Sequence, residues 1–317
     1  MVIGGSGFFG KSILDAWRRG LLSPWGIDRV IVVARSASVL RQTHPDLLGD
    51  HVELIDADVG TAMSLPCADY VIHAASSTDA RRYAEFPQEE RANILQSIDN
   101  YCSIALTTHR NSKIVYTSSG AVYGQQPASL DRVGEDYEPG QAADLVAYKR
   151  DYAEAKRLAE GRIADLGRRG LTVSVARCFA FVGFYLPRDQ HFAIGNFIED
   201  GRLSRPIKVN AQKSVYRSYM HADDLVRWLM TIAHNGDTSC PVFNVGSDAG
   251  YTMGEVAKAV AARFAVEAII PAITQPEIDR YVPSIDKAKS ALGLDISLDL
   301  AAAIDDVARR LSPANNM

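Results

Sequence analysis

The 317-residue sequence predicts an α/β protein, built on a doubly wound parallel sheet with a smaller lobe interleaved with it. Three observations support this prediction. Apolar, β-branched runs of strand length alternate with helical patterns, which is typical of strand–helix–strand units. Most of these runs lack polar alternation, as expected of strands that helices cover on both faces. After residue 177 the alternation gives way to mixed aromatic residues, glycines and prolines, so a second lobe is expected there.

The predicted elements follow one another in a regular order. Seven strands are predicted, at residues 1–3, 29–34, 52–57, 70–74, 113–117, 173–177 and 242–245. Helices are predicted at residues 11–19, 89–109 and 145–166. In the second helix an apolar stripe recurs at helical spacing, with Ile94, Ile98 and Ala105 on one face. We assign residues 1–177 and about 215–247 to a sheet domain, and about 178–214 and 248–317 to the smaller lobe.

Composition excludes several classes of protein. Hydrophobic residues make up 47% of the chain and charged residues 23%, which is ordinary for a globular protein and excludes a disordered or collagen-like one. The net charge of −4, without a run of Lys or Arg, argues against nucleic acid or an anionic membrane as a partner. The four cysteines are scattered, and no apolar run reaches the ~18 residues of a membrane helix, so we expect a cytoplasmic protein.

A glycine-rich turn joins the first predicted strand to the first helix. Gly4, Gly7 and Gly10 recur at three-residue spacing, with Phe8 and Phe9 before the last of them. Glycines permit a tight turn and let backbone N–H groups approach a pyrophosphate, which the N-terminus of the following helix also attracts. This pattern predicts a dinucleotide-binding domain of the Rossmann type. A merely tight turn is the alternative.

The end of the second predicted strand bears on the choice of cofactor. An acidic residue at this place binds the ribose hydroxyls of NAD, whereas an arginine accommodates the additional phosphate of NADP. The sequence has Ala34 and Arg35 here and no acid. We therefore expect NADP, with NAD as the alternative, although Arg35 as an ordinary surface charge fits the sequence as well.

Two further motifs carry candidate chemistry. Tyr152 and Lys156 are four residues apart in a predicted helix and therefore share one face. An ammonium group beside a phenol favours the phenolate and would lower the pKa of Tyr152, which would suit proton transfer near neutral pH. A surface aromatic–cation pair is the alternative. The second motif, TSSGAVYG at residues 117–124, directly follows the fifth strand, where the strand ends of parallel sheets face a ligand.

Together, these three motifs resemble the extended short-chain dehydrogenase/reductase family, in its NAD(P)-dependent nucleotide-sugar epimerase/dehydratase branch. The resemblance implies that Tyr152 exchanges a proton with the sugar and that Lys156 also binds the nicotinamide ribose. It implies that Ser119 hydrogen-bonds the reacting sugar oxygen, while Ser118 is expected to be a backbone-capping hydroxyl. Tyr152, Lys156 and Ser119 are therefore the predicted catalytic residues.

The resemblance extends to other cofactor-binding segments. Asp58 and Val59 resemble the residues beside the adenine ring, and Asn93 resembles a helix residue near the nicotinamide. His73 opens a segment beside the phosphates and is expected to be positional, since no second ligand at suitable spacing suggests a metal. The implied cofactor-binding residues are Gly4, Gly7, Phe8, Phe9, Gly10, Arg35, Asp58, Val59, Ala74, Ala75, Ser76, Asn93, Thr117, Tyr152 and Lys156.

The resemblance also implies substrate-binding residues in the part of the chain after residue 177, in addition to Ser119. Arg217 resembles the arginine that binds the pyrophosphate of the nucleotide sugar, although an ion pair with a carboxylate is the alternative. Arg280 is expected to approach the same group. The family's substrate-binding asparagine is replaced by Ala180, and Asn196 is the candidate to compensate, with a helix-surface position as its alternative. With Ser119, these residues form the predicted substrate set.

Departures from the family pattern restrict the reaction. Gly120 and Ala121 stand where 4,6-dehydratases carry two acids, so dehydration lacks its acid and base. A 4-ketoreductase that consumes NADPH and a 4-epimerase with tightly bound NAD remain, and Arg35 favours the reductase. A non-catalytic NADP sensor is the alternative from another class. By analogy with the family, a homodimer is expected through helices 89–109 and 145–166.

Overall fold

The structure, a computed structural model, describes residues 1–76, 80–138 and 147–312. The strands are β1 Val2–Ile3, β2 Val30–Ala34, β3 Val52–Asp56, β4 Tyr70–His73, β5 Lys113–Ser119, β6 Thr172–Cys178, β7 Phe181–Val182, β8 Ile207–Lys208, β9 Ser214–Arg217, β10 Met220–His221, β11 Val242–Val245, β12 Tyr251–Thr252, β13 Ala268–Ile269 and β14 Ile278–Tyr281. The helices are α1 Phe8–Arg18, α2 Leu40–Thr43, α3 Ala80–Glu85, α4 Pro87–Thr108, α5 Ala147–Arg168, α6 Ala193–Arg202, α7 Ala222–His234, α8 Met253–Phe264, α9 Asp286–Leu292 and α10 Leu300–Leu311.

The main sheet, in the described part of the chain, has seven strands in the order β11-β6-β5-β4-β1-β2-β3. The strands from β6 to β3 pair in parallel, so their carboxyl ends share one edge. The order reverses at β1 and β4, and such switch points are where open α/β sheets bind ligands. The predicted fold class, an α/β fold with a Rossmann-type parallel sheet, is thus confirmed.

The predicted strands are all present, with small differences at their ends. The largest difference is at β5, which continues to Ser119 because Ser118 and Ser119 pair with Arg177 and Cys178 of β6. Helix α1 begins at Phe8, earlier than predicted, since the glycine turn leads directly into it. The predicted start of the third helix, at residue 145, lies outside the described residues.

Two compact units divide the chain. The first comprises Met1–Gly124, Gln141–Cys178 and Val226–Phe243, and the second Gln125–Gly140, Phe179–Leu225 and Asn244–Met317. The sequence placed residues 125–138 in the sheet domain and began the return to that domain at about 215. In the structure, the first of these segments bonds within the second unit, where Val133 bridges Pro283 and Glu135 accepts the Asn244 N–H.

Helices α4 and α5 supply much of the core of the first unit. Ile94, Ile98 and Tyr101 of α4 and Ile163 and Leu166 of α5 are buried against the sheet. Burial of aliphatic side chains on this scale is worth about 1.5–3 kcal/mol each in transfer free energy. The predicted stripe on α4 is therefore its core-facing side, and it fixes the helices that flank the carboxyl edge of the sheet.

The second unit is built on short strands. Its three-stranded sheet has the order β12-β9-β14, with β14 parallel and β12 antiparallel to β9. Helix α8 begins with a capping box made by Thr252 and Glu255, and α10 is capped by Asp299. No helix within the described ranges is long and apolar enough to cross a membrane.

Candidate active site

The glycine turn after β1 is held in its shape by two of its three motif glycines. Gly4 has φ +83°, and a Cβ on it would lie 2.6 Å from the Ala74 carbonyl oxygen. A Cβ on Gly10 would lie 2.0 Å from the Gly5 carbonyl oxygen. Gly7 is exposed, and its nearest such neighbour is the Gly4 oxygen at 3.5 Å. The turn therefore requires glycine at the first and third positions and leaves the second open to a ligand.

This turn fits a pyrophosphate. Gly7 is the N-cap of α1 and has no side chain to bond the amides of the first turn. Phe8 and Phe9 follow it, half-buried, with their rings edge to face at 5.8 Å. The positive end of the helix dipole and the adjacent backbone amides favour an anion here. The residues present are those that an NAD(P) diphosphate requires.

The predicted adenine residues lie beyond β3. Val59 is buried, whereas Asp58 is exposed and its carboxylate accepts the Gly60 N–H at 2.8 Å. Asn100 of α4 donates to the carbonyl oxygens of Val59 at 2.8 Å and Ala62 at 2.9 Å, and so fixes this loop. The sequence analysis did not identify this asparagine, which lies seven residues after the predicted Asn93.

Asn93 itself lies on α4 and is exposed. Residues seven apart on a helix lie on nearly the same face, so Asn93 shares the side of α4 that carries Asn100. Asn93 remains a predicted neighbour of the nicotinamide.

The end of β2 carries the predicted cofactor-selecting residue. Arg35 is exposed directly after the strand. Its neighbour Ala34 pairs with Asp56 of β3, an acid that an inspection of β2 alone did not reveal. The Asp56 carboxylate accepts the Ser38 N–H at 2.8 Å, and its hydrogen bonds with Ser38 lower its pKa. This edge of the sheet therefore carries both a cation, Arg35, and a carboxylate, Asp56, which is already hydrogen-bonded to Ser38.

The segment after β4 contacts Tyr83, which was not among the predicted site residues. Ala74 donates its N–H to Ile3, and the Ser76 hydroxyl lies 3.4 Å from that of Tyr83 on α3. The Tyr83 ring packs edge to face on Tyr152, with centroids 5.0 Å apart. Its signal in the sequence was only an aromatic residue in a charged segment, which does not indicate a site.

His73, at the end of β4, is buried beneath this segment. Its ring lies 4.9 Å from that of Tyr101 and 5.6 Å from that of Tyr116. Burial, and then the charge of Lys156, lower the pKa of His73 to about 3, so the imidazole is neutral. Its carbonyl oxygen accepts the Thr117 hydroxyl at 3.2 Å, which agrees with a positional role.

The three predicted catalytic residues come together at the end of β5 and on α5. The Tyr152 phenol and the Ser119 side chain are hydrogen-bonded. The Lys156 ammonium donates to the Tyr116 hydroxyl at 3.2 Å and to the Thr117 carbonyl at 3.1 Å. It lies 5.8 Å from the centre of the Tyr152 ring. Side chains from two distant parts of the chain thus converge on one point at the carboxyl edge of the sheet.

Burial decides the protonation of this group. It raises the pKa of Tyr152 to about 12, against the opposing effect of the hydrogen bond from Ser119. It lowers the pKa of Lys156 to about 8, against the opposing effects of Cys178 and Glu160. The expected lowering of the tyrosine pKa by the lysine is therefore not observed in the protein alone, because desolvation of the phenolate outweighs it.

Ser118 does not have its predicted role. Its hydroxyl donates to the Glu160 carboxylate at 2.5 Å instead of capping the backbone. The cap is made by Ser119, whose oxygen accepts the Ala121 N–H at 3.1 Å at the start of the turn formed by residues 120–123. The reason is the extension of β5: Ser118 remains inside the strand, where its side chain faces α5.

The two arginines predicted to bind the pyrophosphate lie on opposite faces of one sheet. Side chains alternate along a strand, and Arg280 is in register with Tyr216, next to Arg217. Arg217 forms an ion pair with Asp279 at 2.9 Å, as the alternative interpretation anticipated. Arg280 stacks on Tyr216, with its guanidinium 4.4 Å from the ring centre, and pairs with Asp131 at 3.0 Å.

Asn196 lies on α6 and is half-buried. Its amide nitrogen donates to the Gln190 carbonyl oxygen at 2.7 Å. Its amide oxygen is buried and has no hydrogen-bond donor among the described residues. The amide is therefore held in place with one acceptor position unused.

Comparison with known proteins agrees with this geometry. The family model described as the NAD dependent epimerase/dehydratase family matches residues 1–246, from the glycine turn to the end of β11. The chain belongs to this family. The resemblance inferred from the motifs is thus confirmed. Of the predicted residues, Arg280 lies beyond the matched part.

Solved structures of epimerases and dehydratases share the fold of this family member. UDP-glucose 4-epimerase from Thermotoga maritima, crystallised with UDP-glucose, has 19% identity over 97% of this chain and 96% of its own, with a TM-score of 0.78. The Thermus thermophilus UDP-glucose 4-epimerase complex with NAD has 21% identity over 98% and 99%, with a TM-score of 0.77.

The fold is also that of a dehydratase. The dTDP-glucose 4,6-dehydratase from Streptomyces venezuelae, with NAD bound, has 18% identity over 97% of this chain and 95% of its own, with a TM-score of 0.78. No individual curated protein matches the sequence significantly. Identities this low establish a common fold, and the reaction has to be argued from the residues of the site.

Proposed function

We propose that the protein is an NADPH-dependent 4-ketoreductase that acts on a keto-sugar nucleotide. The observation that carries the proposal is the convergence of Ser119, Tyr152 and Lys156: the Lys156 ammonium lies 5.8 Å from the centre of the Tyr152 ring, and hydrogen bonding with Ser119 lowers the pKa of the phenol against the effect of burial. A carbonyl oxygen in the position shared by Ser119 and Tyr152 would meet two hydroxyl donors. Donors aimed at an oxygen that becomes negative stabilise the transition state of carbonyl reduction.

The protonation of Tyr152 suits it to donate a proton in ketone reduction. Because its pKa is raised to about 12, the phenol keeps its proton at neutral pH. A ketone reduction begins with a proton donor at this position, whereas oxidation of an alcohol begins with a base. The phenol of the protein alone is therefore a proton donor, as the first step of a ketone reduction requires.

The reaction balances with the groups present. NADPH supplies a hydride to the keto carbon when it is bound. Tyr152 transfers its proton to the carbonyl oxygen, Ser119 donates a hydrogen bond to that oxygen, and the positive charge of Lys156 stabilises the tyrosinate that results. Solvent then returns a proton to Tyr152. The products are the alcohol and NADP.

Binding is divided among the predicted residues. The glycine turn would hold the cofactor diphosphate, and Arg35 its additional phosphate, since it is an exposed cation at the end of β2. Arg217 would bind the diphosphate of the sugar nucleotide and would exchange part of its ion pair with Asp279 for that anion. The Asn196 oxygen would accept a hydroxyl of the sugar.

A 4-epimerase that uses NAD is the second candidate. Asp56 favours it, because a carboxylate beside Ala34 would repel an additional phosphate and suit the ribose hydroxyls of NAD. The solved epimerases with the same fold agree with this alternative. An epimerase would use Tyr152 first as a base and then as an acid.

Two measurements distinguish the candidates. The purified protein is assayed with both reduced cofactors against a panel of 4-keto-sugar nucleotides, by the absorbance of the reduced nicotinamide. It is also denatured and its supernatant examined for NAD. Oxidation of NADPH with conversion of the 4-keto group to a hydroxyl supports the reductase. Retained NAD with interconversion of sugar nucleotides supports the epimerase, and cofactor binding with no turnover on the panel supports a sensor.

A further inference from the structure

A buried ion pair lies directly behind the catalytic residues. Glu160 accepts two hydrogen bonds from the guanidinium of Arg177, from Nη2 at 2.8 Å and from Nε at 3.1 Å. The side chains are only 11% and 14% exposed. The same carboxylate accepts the Ser118 hydroxyl at 2.5 Å. A single carboxylate thus joins α5 to the ends of both β5 and β6.

The position of Glu160 connects it to both catalytic segments. It lies four residues after Lys156 on α5, and residues at this spacing share a helix face. Through Ser118 it also holds the residue that precedes Ser119 on β5. Arg177 is fixed in turn, since its guanidinium lies 4.8 Å from the centre of the Tyr123 ring. A carboxylate is rarely buried without a cation such as Arg177, because an unpaired buried charge strongly destabilises the folded protein.

We propose that Glu160 is a positioning residue of the active site, which keeps Lys156 positively charged and holds the end of β5 beneath Ser119. Arg177 pairs with the carboxylate, so that its charge can remain buried. The proposal rests on the proposed function, since a charged lysine matters only where a tyrosinate has to be stabilised. The established family membership does not assign this role.

The surroundings of Lys156 make the carboxylate necessary. Burial lowers the pKa of the lysine to about 8, against the opposing effects of Cys178 and Glu160; Cys178 is a neutral thiol at pH 7 because burial raises its pKa to about 12, which leaves the Glu160 carboxylate. The other titratable groups around the two residues are neutral at pH 7, apart from Arg177, which pairs with Glu160: they are Tyr116 of β5, Cys178 of β6, His73 of β4, Tyr152 of α5 and Cys240 before β11.

The test measures the protonation of Lys156 directly. The protein is labelled isotopically at the lysine Cε, the Lys156 resonance is assigned by its loss in Lys156→Met, and its chemical shift is followed against pH without substrate. In Glu160→Gln the amide oxygen still accepts the Ser118 hydroxyl, but the charge is removed. We expect the titration midpoint of Lys156 to fall by about one pH unit. An unchanged midpoint would overturn the proposal.

Two further variants complete the test. Glu154→Gln removes a carboxylate from α5 two residues before Lys156, on another face of the helix, and should leave the midpoint unchanged. If Glu160→Gln does not fold because Arg177 is left unpaired, the double variant Glu160→Gln/Arg177→Gln has no unpaired buried charge. It should show the same fall, because the charge that acts on Lys156 is that of Glu160. A double variant with the wild-type midpoint would also refute the proposal.

The second role has its own test. Ser118→Ala removes the bond from β5 to Glu160 but no charge, so we expect a kcat about tenfold lower with the Lys156 midpoint unchanged. A wild-type kcat in this variant would show that the end of β5 needs no such bond. The titration requires no substrate. A wild-type protein without turnover would therefore contradict the proposed function alone, and the titration would still decide the role of Glu160.

Discussion

Tyr152 and Lys156 are one helical turn apart on α5, and burial acts on their protonation in opposite ways. Burial raises the pKa of the Tyr152 phenol to about 12, so the phenol keeps its proton. It lowers the pKa of the Lys156 ammonium to about 8, so the lysine loses its proton more readily. Both effects have one cause, the removal of water from a charged form. The lysine is therefore the group that titrates within the working pH range.

This difference predicts the pH dependence of the reaction. Since the pKa of Lys156 is lowered from 10.5 to about 8, the ammonium is present below that pH and is lost above it. We expect the reduction rate to be high near pH 7 and to fall as the pH rises through 8. Initial rates at saturating substrate and cofactor measure the profile. A rate that is constant up to pH 10 would contradict this assignment.

In the proposed reductase, we expect Arg35 to determine the choice of cofactor. Its exposed guanidinium at the end of β2 is free of a strong competing charge on its own strand. We expect Arg35→Ala to weaken the binding of NADPH about tenfold or more, since a charge-assisted bond to phosphate is worth roughly 1.5–3 kcal/mol, and to leave NADH binding nearly unchanged. Titration of the nicotinamide fluorescence measures both. Arg41→Ala, six residues further on in α2, is the matched control. Equal losses for both cofactors would argue against NADP.

At the scale of elements, the periodic segments were predictable and the contacts between them were not. The apolar strands and the stripe on α4 follow from the local spacing of apolar residues, which can be read from the sequence. The predicted role of Ser118 was wrong because it depended on where β5 ends. A serine has no conformational preference that marks this end. Asp56 and Glu160 accept hydrogen bonds from Ser38 and Ser118, which are near in space and distant in sequence.

The same limit applies to the second unit. Strands of two residues, such as β8 and β13, are too short to show an alternating pattern. Arg217 and Arg280 were each identified by a motif. Their position on opposite faces of the sheet follows only from the pairing of β9 with β14. Register between distant strands is not encoded in either strand by itself.

The glycine turn permits a direct test of an element. A Cβ on Gly10 would lie 2.0 Å from the Gly5 carbonyl oxygen, and backbone atoms cannot yield without moving α1. We expect Gly10→Ala to reduce the free energy of unfolding by roughly 1–3 kcal/mol and to weaken cofactor binding. Chemical denaturation and cofactor titration measure these effects.

Gly161, within α5, is the matched control for this substitution. A Cβ there would meet no atom of the described residues within 4 Å. We expect Gly161→Ala to be neutral or to stabilise the protein by up to about 1 kcal/mol, because alanine favours the helix. If both variants behaved alike, the close approach of α1 to the turn would not be a requirement of the fold.

At the scale of the whole molecule, α4 and α5 form the surface that we expect a second copy of the chain to cover. Leu158 of α5 is 42% exposed, and Leu95 and Cys102 of α4 are half-buried. We expect the protein to sediment as a dimer and Leu158→Glu to shift it towards the monomer at micromolar concentration. A monomeric wild-type protein would contradict this interface.

Proton donation by Tyr152 during ketone reduction is tested most directly by one substitution. The rate of NADPH oxidation with the best 4-keto-sugar nucleotide is compared for the wild-type protein, Tyr152→Phe and the control Tyr70→Phe, whose hydroxyl is at the amino end of β4. We predict that Tyr152→Phe lowers kcat by about 100-fold or more while the Kd for NADPH changes less than about twofold, and that the control retains its activity. A Tyr152→Phe protein that reduces the substrate at the wild-type rate would show that the proton comes from another group.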